Sequence, residues 1–206
     1  MYKLVIWDVD GTLLDTGDGL KAAVIAATHK NGYEAPDDKT MDSFVGPPIK
    51  DSLRNYYHLD DEEATRLMNE FRNFYKQDEY LLMAHPYDGI PELMKAISDK
   101  GIKQAVATNK RQDYAERIVN HFALGEYCDV ICGADFEGKL IKPDIIELAI
   151  GNFEEVDKSE IIMIGDTHFD EEGARKVGIP FLPVSYGYGF TEGCESVAKI
   201  AKELSL

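Results

Sequence analysis

The sequence predicts an α/β fold: a doubly wound, Rossmann-like parallel sheet with an inserted α-helical domain. Short apolar runs recur between helix-like stretches, and one long interval after the first run has only helical pattern. Runs that are apolar throughout, rather than alternating, are typical of strands buried on both faces. Strands that alternate with helices in this way favour a parallel sheet covered by helices.

The predicted strands are short and mostly apolar, and they cover residues 4–8, 104–108, 130–133, 161–165 and 181–184. The predicted helices lie between them, at residues 90–99, 113–122, 144–152, 170–177 and 195–204. Apolar residues at helical spacing rather than in continuous runs distinguish the second group from the first.

One interval interrupts this alternation. From about residue 16 to residue 83 we find no strand pattern, whereas residues 22–29 and 62–75 have apolar residues at helical spacing. The acidic run 60–63 is interpreted as the first turn of a helix, where the helix dipole favours negative charge. We therefore expect a core domain of residues 1–15 and 84–206, with the sheet resuming near residues 86–89, and a helical cap domain of residues 16–83.

Composition narrows the possible partners. The 206 residues are 44% apolar, which is enough for a core, and 38 acidic against 22 basic residues give a net charge of −16. Such a charge argues against a nucleic acid polymer or an anionic membrane as partner. No apolar run is long enough to span a bilayer. Three cysteines (Cys128, Cys132 and Cys194) are interpreted as free thiols, so a cytoplasmic location is expected.

Acids, hydroxyls and lysines follow the predicted strands. Because ligands bind at the carboxyl ends of parallel strands, we expect these residues to converge on one edge of the sheet. The segments concerned are Asp8-Val9-Asp10-Gly11-Thr12, Thr108-Asn109-Lys110, Lys142-Pro143-Asp144 and Gly165-Asp166-Thr167, followed by Asp170.

These residue types suggest phosphate chemistry. Mg²⁺ prefers oxygen ligands, and Asp8 and Asp166 are suitable carboxylates. Beside the metal, Asp8 could attack phosphorus and form an aspartyl-phosphate, while Asp10 protonates the leaving oxygen. Charge on the transferring group requires fixed donors. The candidates are Thr108, Asn109, Lys142 and the backbone near Gly11.

Three other motif interpretations fail on the residues. A calcium loop starting at Asp8 would need Gly and Glu where Leu13 and Gly19 stand. The P-loop-like segment 133–140 ends in Leu140, which cannot bind a metal. Gly187-Tyr188-Gly189 opens like a dinucleotide fingerprint, but Glu192 occupies the last glycine position, so a loop near the active-site edge is the better interpretation.

Together, the segments at 8–12, 108–109, 142–143 and 165–170 resemble the four motifs of the haloacid dehalogenase superfamily of phosphohydrolases. The position of the helical interval is similar to the branch with a helical cap after the first motif, the phosphoglycolate phosphatase-like enzymes. The resemblance implies a Mg²⁺-dependent phosphatase with Asp8 as nucleophile and metal ligand. An acid at Asp10 argues against the dehalogenases that gave the superfamily its name.

The resemblance also implies the remaining roles. Asp10 would act as acid and base and bind the metal through its backbone carbonyl. Thr108 and Lys142 would hold the phosphoryl group. Asp166 would bind Mg²⁺, and Asp170 would orient a metal-bound water.

The substrate is expected to be a small phosphorylated metabolite: a phosphoglycolate-like compound, a sugar phosphate or a nucleotide. Specificity is expected from residues facing the active-site edge, with Asp15, Thr16, Lys50 and Arg54 as candidates. The alternatives are a phosphomutase or pyrophosphatase of the same superfamily, or a Mg²⁺-binding phosphoacceptor signalling domain. An Arg is missing from residues 46–50, which disfavours a mutase. The sequence does not indicate an oligomeric state.

Overall fold

A computed structural model describes residues 2–154 and 156–206, and the chain divides into two compact units. The α/β unit comprises Met1–Asp15 and His85–Leu206, and the helical unit comprises Thr16–Ala84. Among the residues described, no helix combines the length and the apolar character needed to cross a membrane.

The strands run in chain order as β1 (Leu4–Trp7), β2 (Leu14–Asp15), β3 (His85–Pro86), β4 (Lys103–Arg111), β5 (Val130–Ala134), β6 (Ile161–Gly165) and β7 (Phe181–Pro183). Five of them form one parallel sheet in the order β5-β4-β1-β6-β7, so β1 is central. The predicted α/β fold with a parallel sheet is confirmed.

The helices are α1 (Gly17–Lys30), α2 (Asp38–Asp42), α3 (Ile49–Tyr57), α4 (Asp61–Tyr75), α5 (Asp78–Leu81), α6 (Ile90–Asp99), α7 (Gln112–His121), α8 (Lys142–Ile150), α9 (His168–Val177) and α10 (Val197–Glu203). Helices α1 to α5 form the helical unit, where α1 packs on α4 and α3 packs on α4.

Both faces of the sheet are buried because successive side chains of a strand point to opposite faces. Leu4 and Ile6 of β1 belong to a core cluster that includes Ile145 and Ile146 of α8. On the other face, the indole of Trp7 donates to the Gln104 side chain at 3.0 Å. Gln104 in turn donates to the carbonyl of Met94 in α6, so helices cover both faces.

The structure differs from the sequence prediction where the chain leaves and re-enters the α/β unit. Residues 85–86 do not resume the main sheet; they pair with residues 14–15 as a separate antiparallel sheet, β2–β3. Strands of two residues are too short to show periodicity. In addition, β4 continues to Arg111, with a register shift against β5 between Thr108 and Arg111.

Candidate active site

The site begins where β1 ends, at Asp8. Asp8 is buried, and its Oδ1 lies 2.6 Å from the Nζ of Lys142. Lys142 is the first residue of α8, and its aliphatic stem passes close to Gly173 of α9, where a Cβ would lie only 2.9 Å from Lys142 Cγ. The absence of a Cβ at Gly173 therefore leaves the space in which the buried Lys142 side chain extends to Asp8.

Two further carboxylates complete the cluster. Oxygen atoms of Asp8, Asp166 and Asp170 all lie within 4.8 Å of one another, and all three residues are buried. Asp166 directly follows β6. Asp170 caps α9, because its Oδ2 accepts from the backbone N–H of Thr167 at 3.0 Å and from its hydroxyl at 2.8 Å. Its Oδ1 lies 2.6 Å from Lys142 Nζ.

Burial governs the electrostatics of this cluster. Loss of hydration raises the pKa of Asp8 to about 7. The attraction of Lys142 lowers this pKa but offsets only part of the effect of burial. Burial and then the charge of Asp8 raise the pKa of Asp166 to about 8. Burial acts against the charged form of Lys142, but Asp170 and Asp8 more than compensate and raise its pKa above the usual value. With all groups ionised, three carboxylates face one ammonium.

The residues fit a divalent cation. Oδ2 of Asp166 accepts from the backbone N–H of Tyr188 at 2.7 Å, whereas the buried Oδ1 has no hydrogen-bond partner among residues 2–154 and 156–206. A buried acceptor without a partner is costly, and a cation would satisfy it. Carboxylate oxygens are the ligands that Mg²⁺ prefers, and a divalent charge would balance the excess of carboxylates over lysine. Asp8, Asp166 and Asp170 would hold it.

A second buried ion pair lies beside the cluster. Nζ of Lys110 is 2.9 Å from Oδ1 of Asp10, and both side chains are at most 10% exposed. Thr108, also buried, accepts from the backbone N–H of Lys110 at 3.2 Å. From the sequence, Lys110 is expected at a strand end and has no predicted function. A lysine after a buried strand is the only signal, and it does not show that the irregular end of β4 turns Lys110 towards Asp10.

Glycines bring the backbone close to Asp166. Gly11 has a φ of +78°, and a Cβ there would lie 2.1 Å from Oδ2 of Asp166. A Cβ at Gly187 would lie 2.4 Å from the same oxygen. Gly11, a predicted phosphate-binding residue, therefore lies directly beside the carboxylate cluster. The loop at residue 187 is a further component, and the sequence indicated only that it lies near this edge.

The remaining predicted residues have other surroundings. Asn109 is half-buried within β4. In the helical unit, Thr16 directly precedes α1. Nζ of Lys50 lies 2.7 Å from Oδ1 of Asp61, and Nη2 of Arg54 lies 2.9 Å from Oδ1 of Asp51. Both cations therefore have ion-pair partners within their own unit.

Comparisons with known proteins agree with this geometry. The sequence matches the model of the haloacid dehalogenase-like hydrolases over residues 5–184. A 5'-nucleotidase of Pseudomonas aeruginosa is 30% identical over 188 residues, which is 91% of this chain and 85% of that protein. A phosphoglycolate phosphatase of Vibrio vulnificus is 28% identical over 200 residues, 92% of this chain and 86% of that protein.

A solved structure is similar over its whole length. The crystal structure of a predicted phosphatase from Clostridium acetobutylicum is 34% identical, covers 100% of both chains and has a TM-score of 0.93. The family match spans the strands and loops that position Asp8, Lys142 and Asp166. The chain belongs to the haloacid dehalogenase-like hydrolase family and is a phosphohydrolase of that family.

Proposed function

We propose that this protein hydrolyses a small phosphomonoester with the help of Mg²⁺ and through an aspartyl-phosphate at Asp8. One observation supports this above all: the buried cluster of Asp8, Asp166 and Asp170 with a single lysine between two of its members. A nucleophile, ligands for a hard cation and a fixed positive charge are thus held at one edge of the sheet.

In the first step, a carboxylate oxygen of Asp8 attacks phosphorus and the bond from phosphorus to the ester oxygen breaks. The leaving oxygen takes its proton from Asp10. In the second step, Asp10 accepts a proton from the water that attacks the phosphoenzyme, so that phosphate leaves and Asp8 is restored. Lys110, whose Nζ lies 2.9 Å from Oδ1 of Asp10, restrains the Asp10 side chain beside the reacting groups.

Negative charge on the transferred group is stabilised by fixed donors. Lys142 supplies an ammonium that is held in place by Asp8 and Asp170, and Thr108 supplies a buried hydroxyl. Preorganised donors of this kind are among the largest contributions to phosphoryl transfer. A bound Mg²⁺ would neutralise charge on the phosphoryl oxygens.

The substrate class we propose is a small phosphomonoester, of the phosphoglycolate, sugar phosphate or nucleotide type. The named relatives support this range, since one is a 5'-nucleotidase and another a phosphoglycolate phosphatase. We assign the helical unit the function of a cap that selects among such substrates. Its candidate contacts are Thr16, Lys50 and Arg54, and Asp15 of the α/β unit is a further candidate. Comparing kcat/KM over a panel of phosphorylated metabolites identifies the preferred member.

Asp8→Asn tests the proposed mechanism. With p-nitrophenyl phosphate and Mg²⁺, we expect the wild type to turn over repeatedly and the variant to lose roughly a thousandfold or more in kcat. Asp99→Asn, which changes an exposed aspartate paired with Lys95, is the control and should retain full activity. Acid quenching should trap a phosphoenzyme in the wild type only.

Two results would contradict the mechanism. Retained activity in Asp8→Asn would exclude Asp8 as the nucleophile. A single stable phosphorylation of the wild type, without release of phosphate, would favour a phosphoacceptor domain over a hydrolase.

A further inference from the structure

The loop Gly187-Tyr188-Gly189 contacts two separate parts of the α/β unit through one residue. The backbone N–H of Tyr188 donates to Oδ2 of Asp166 at 2.7 Å. Its hydroxyl donates to Oδ1 of Asp15 in β2. Tyr188 thus connects a proposed metal ligand with the small sheet β2–β3.

Close packing fixes the Asp166 end of this connection. A Cβ at Gly187 would lie 2.3 Å from the carbonyl oxygen of Gly11 and 2.4 Å from Asp166 Oδ2. A Cβ at Gly189 would lie 2.5 Å from the carbonyl oxygen of Asp166, which also accepts from the N–H of Phe190 at 2.9 Å. Because loop backbone lies directly against Asp166, a displacement of the loop must displace this carboxylate.

The other end lies where the chain passes between the two units in sequence. Asp15 is the last residue of the first α/β segment and pairs with His85, the first residue of the second. Oδ2 of Asp15 is 3.9 Å from Nε2 of His85, and the N–H of Tyr87 donates to the carbonyl of Leu13 at 3.2 Å. The hydroxyl of Tyr188 therefore holds one strand of this pair directly.

We propose that Tyr188 is a positioning residue that couples cation binding at Asp166 to the order of the β2–β3 pair. The inference rests on the proposed metal site. The hydrogen bond to Asp15 holds the loop so that Oδ2 of Asp166 is engaged by the Tyr188 N–H and Oδ1 remains available to the cation. Coupling between two equilibria is reciprocal, so a bound cation must also stabilise the strand pair.

The test is Mg²⁺ binding by calorimetry, with the full chain and no substrate. We expect Tyr188→Phe, which removes only the hydroxyl, to weaken Mg²⁺ binding by about tenfold, the lower end of the effect of losing a partner behind a metal ligand. Tyr186→Phe is the matched control: it removes a hydroxyl that donates to the Thr12 carbonyl at 3.0 Å and leaves both Tyr188 contacts intact.

A double variant separates coupling from general loosening. If Tyr188 and Asp15 act through their shared hydrogen bond, the losses of Mg²⁺ affinity should not add. The double variant Tyr188→Phe with Asp15→Ala should then bind Mg²⁺ as tightly as the single variant with the lower affinity. Mg²⁺ should also slow hydrogen exchange at the Tyr87 amide in the wild type, and do so less in Tyr188→Phe.

Gly187→Ala changes the end of the connection that contacts Asp166. Gly151→Ala is its control, because a Cβ at Gly151 would make only ordinary van der Waals contacts. We expect Gly187→Ala to weaken Mg²⁺ binding at least as much as Tyr188→Phe. Equal Mg²⁺ affinity of the wild type and Tyr188→Phe, or additive losses in the double variant, would overturn the coupling alone. No Mg²⁺ binding by the wild type would overturn the metal site as well.

Discussion

Three buried carboxylates and one lysine form an electrostatically unfavourable group until a cation joins them. Burial without full compensation raises the pKa of Asp8 to about 7 and that of Asp166 to about 8. Buried charges are tolerated only when they are paired, and Lys142 can pair with no more than part of this set. The metal-free protein must therefore bear a cost that grows as these acids ionise.

Asp166→Asn should reveal that cost through its dependence on pH. An aspartate whose pKa is near 3.8 when unfolded and about 8 when folded loses stability as pH rises between these values. In EDTA, the Tm of Asp166→Asn relative to the wild type should therefore increase from about pH 5 to about pH 8. Differential scanning calorimetry measures the two values.

Asp99→Asn serves as the control, because its exposed carboxyl should give a Tm difference that hardly changes over this range. Added Mg²⁺ should reverse the order at high pH by stabilising only the wild type. A pH-independent difference between Asp166→Asn and the wild type would contradict the assigned shift.

The three acids that the structure brings together were predicted from the sequence, but the residues packed against them were not. Asp8 ends one predicted strand, Asp166 follows another and Asp170 begins the next predicted helix, so their convergence follows from the topology of a parallel sheet. Lys110 and Tyr188 depend on local geometry that periodicity does not encode. Lys110 lies at the register shift between β4 and β5, and Tyr188 contacts Asp166 through its backbone N–H.

At the scale of elements, the longer segments were predictable and the shortest were not. β6 and α6 have the predicted bounds, because apolar runs and helical spacing are clear over five or more residues. The strands β2 and β3 have two residues each and form through pairing across the chain. In the helical unit, α3 is absent from the sequence prediction although Ile49, Leu53 and Tyr57 stand at helical spacing in it.

The N-cap of α4 gives a prediction for the helical unit. Oδ1 of Asp60 accepts from the backbone N–H of Glu63 at 2.8 Å, as expected for the first turn of a helix. Asp60→Ala should lower the free energy of unfolding by about 1 kcal/mol. Glu62→Ala, in the same turn and exposed, should change it much less. Urea unfolding followed by circular dichroism compares the two, and equal losses would exclude a capping effect.

Lys50 on α3 tests whether the helical unit selects the substrate. Removing this cation should change the relative kcat/KM of substrates that differ in the charge of their leaving group, with little change for p-nitrophenyl phosphate. Lys39→Ala, an exposed lysine of α2, is the matched control and should preserve the order of the panel. If Lys50→Ala and Lys39→Ala give the same order as the wild type, Lys50 does not contribute to specificity.

For the whole molecule, the net charge of −16 opposes the approach of an anionic substrate. Salt shortens the screening length from about 30 Å at 0.01 M to about 8 Å at 0.15 M. At saturating Mg²⁺, kcat/KM should therefore rise over this range of NaCl. The rise should be larger for a sugar bisphosphate than for p-nitrophenyl phosphate. A fall for both substrates would show that a local positive field, rather than the net charge, controls association.

The central position of β1 in the sheet has a consequence for synthesis. β1 pairs on one side with residues that follow it by about a hundred positions, and on the other with residues beyond 160. β1 thus has no sheet partner until β4 has been made and lacks its second partner until β6 follows, while the helical unit, whose contacts are nearer in sequence, can form in the meantime. An apolar Leu4–Trp7 without partners invites aggregation during that delay. Slow translation of residues 16–102, before β4 exists, should therefore lower the yield of native protein more than slow translation of the residues that follow β6.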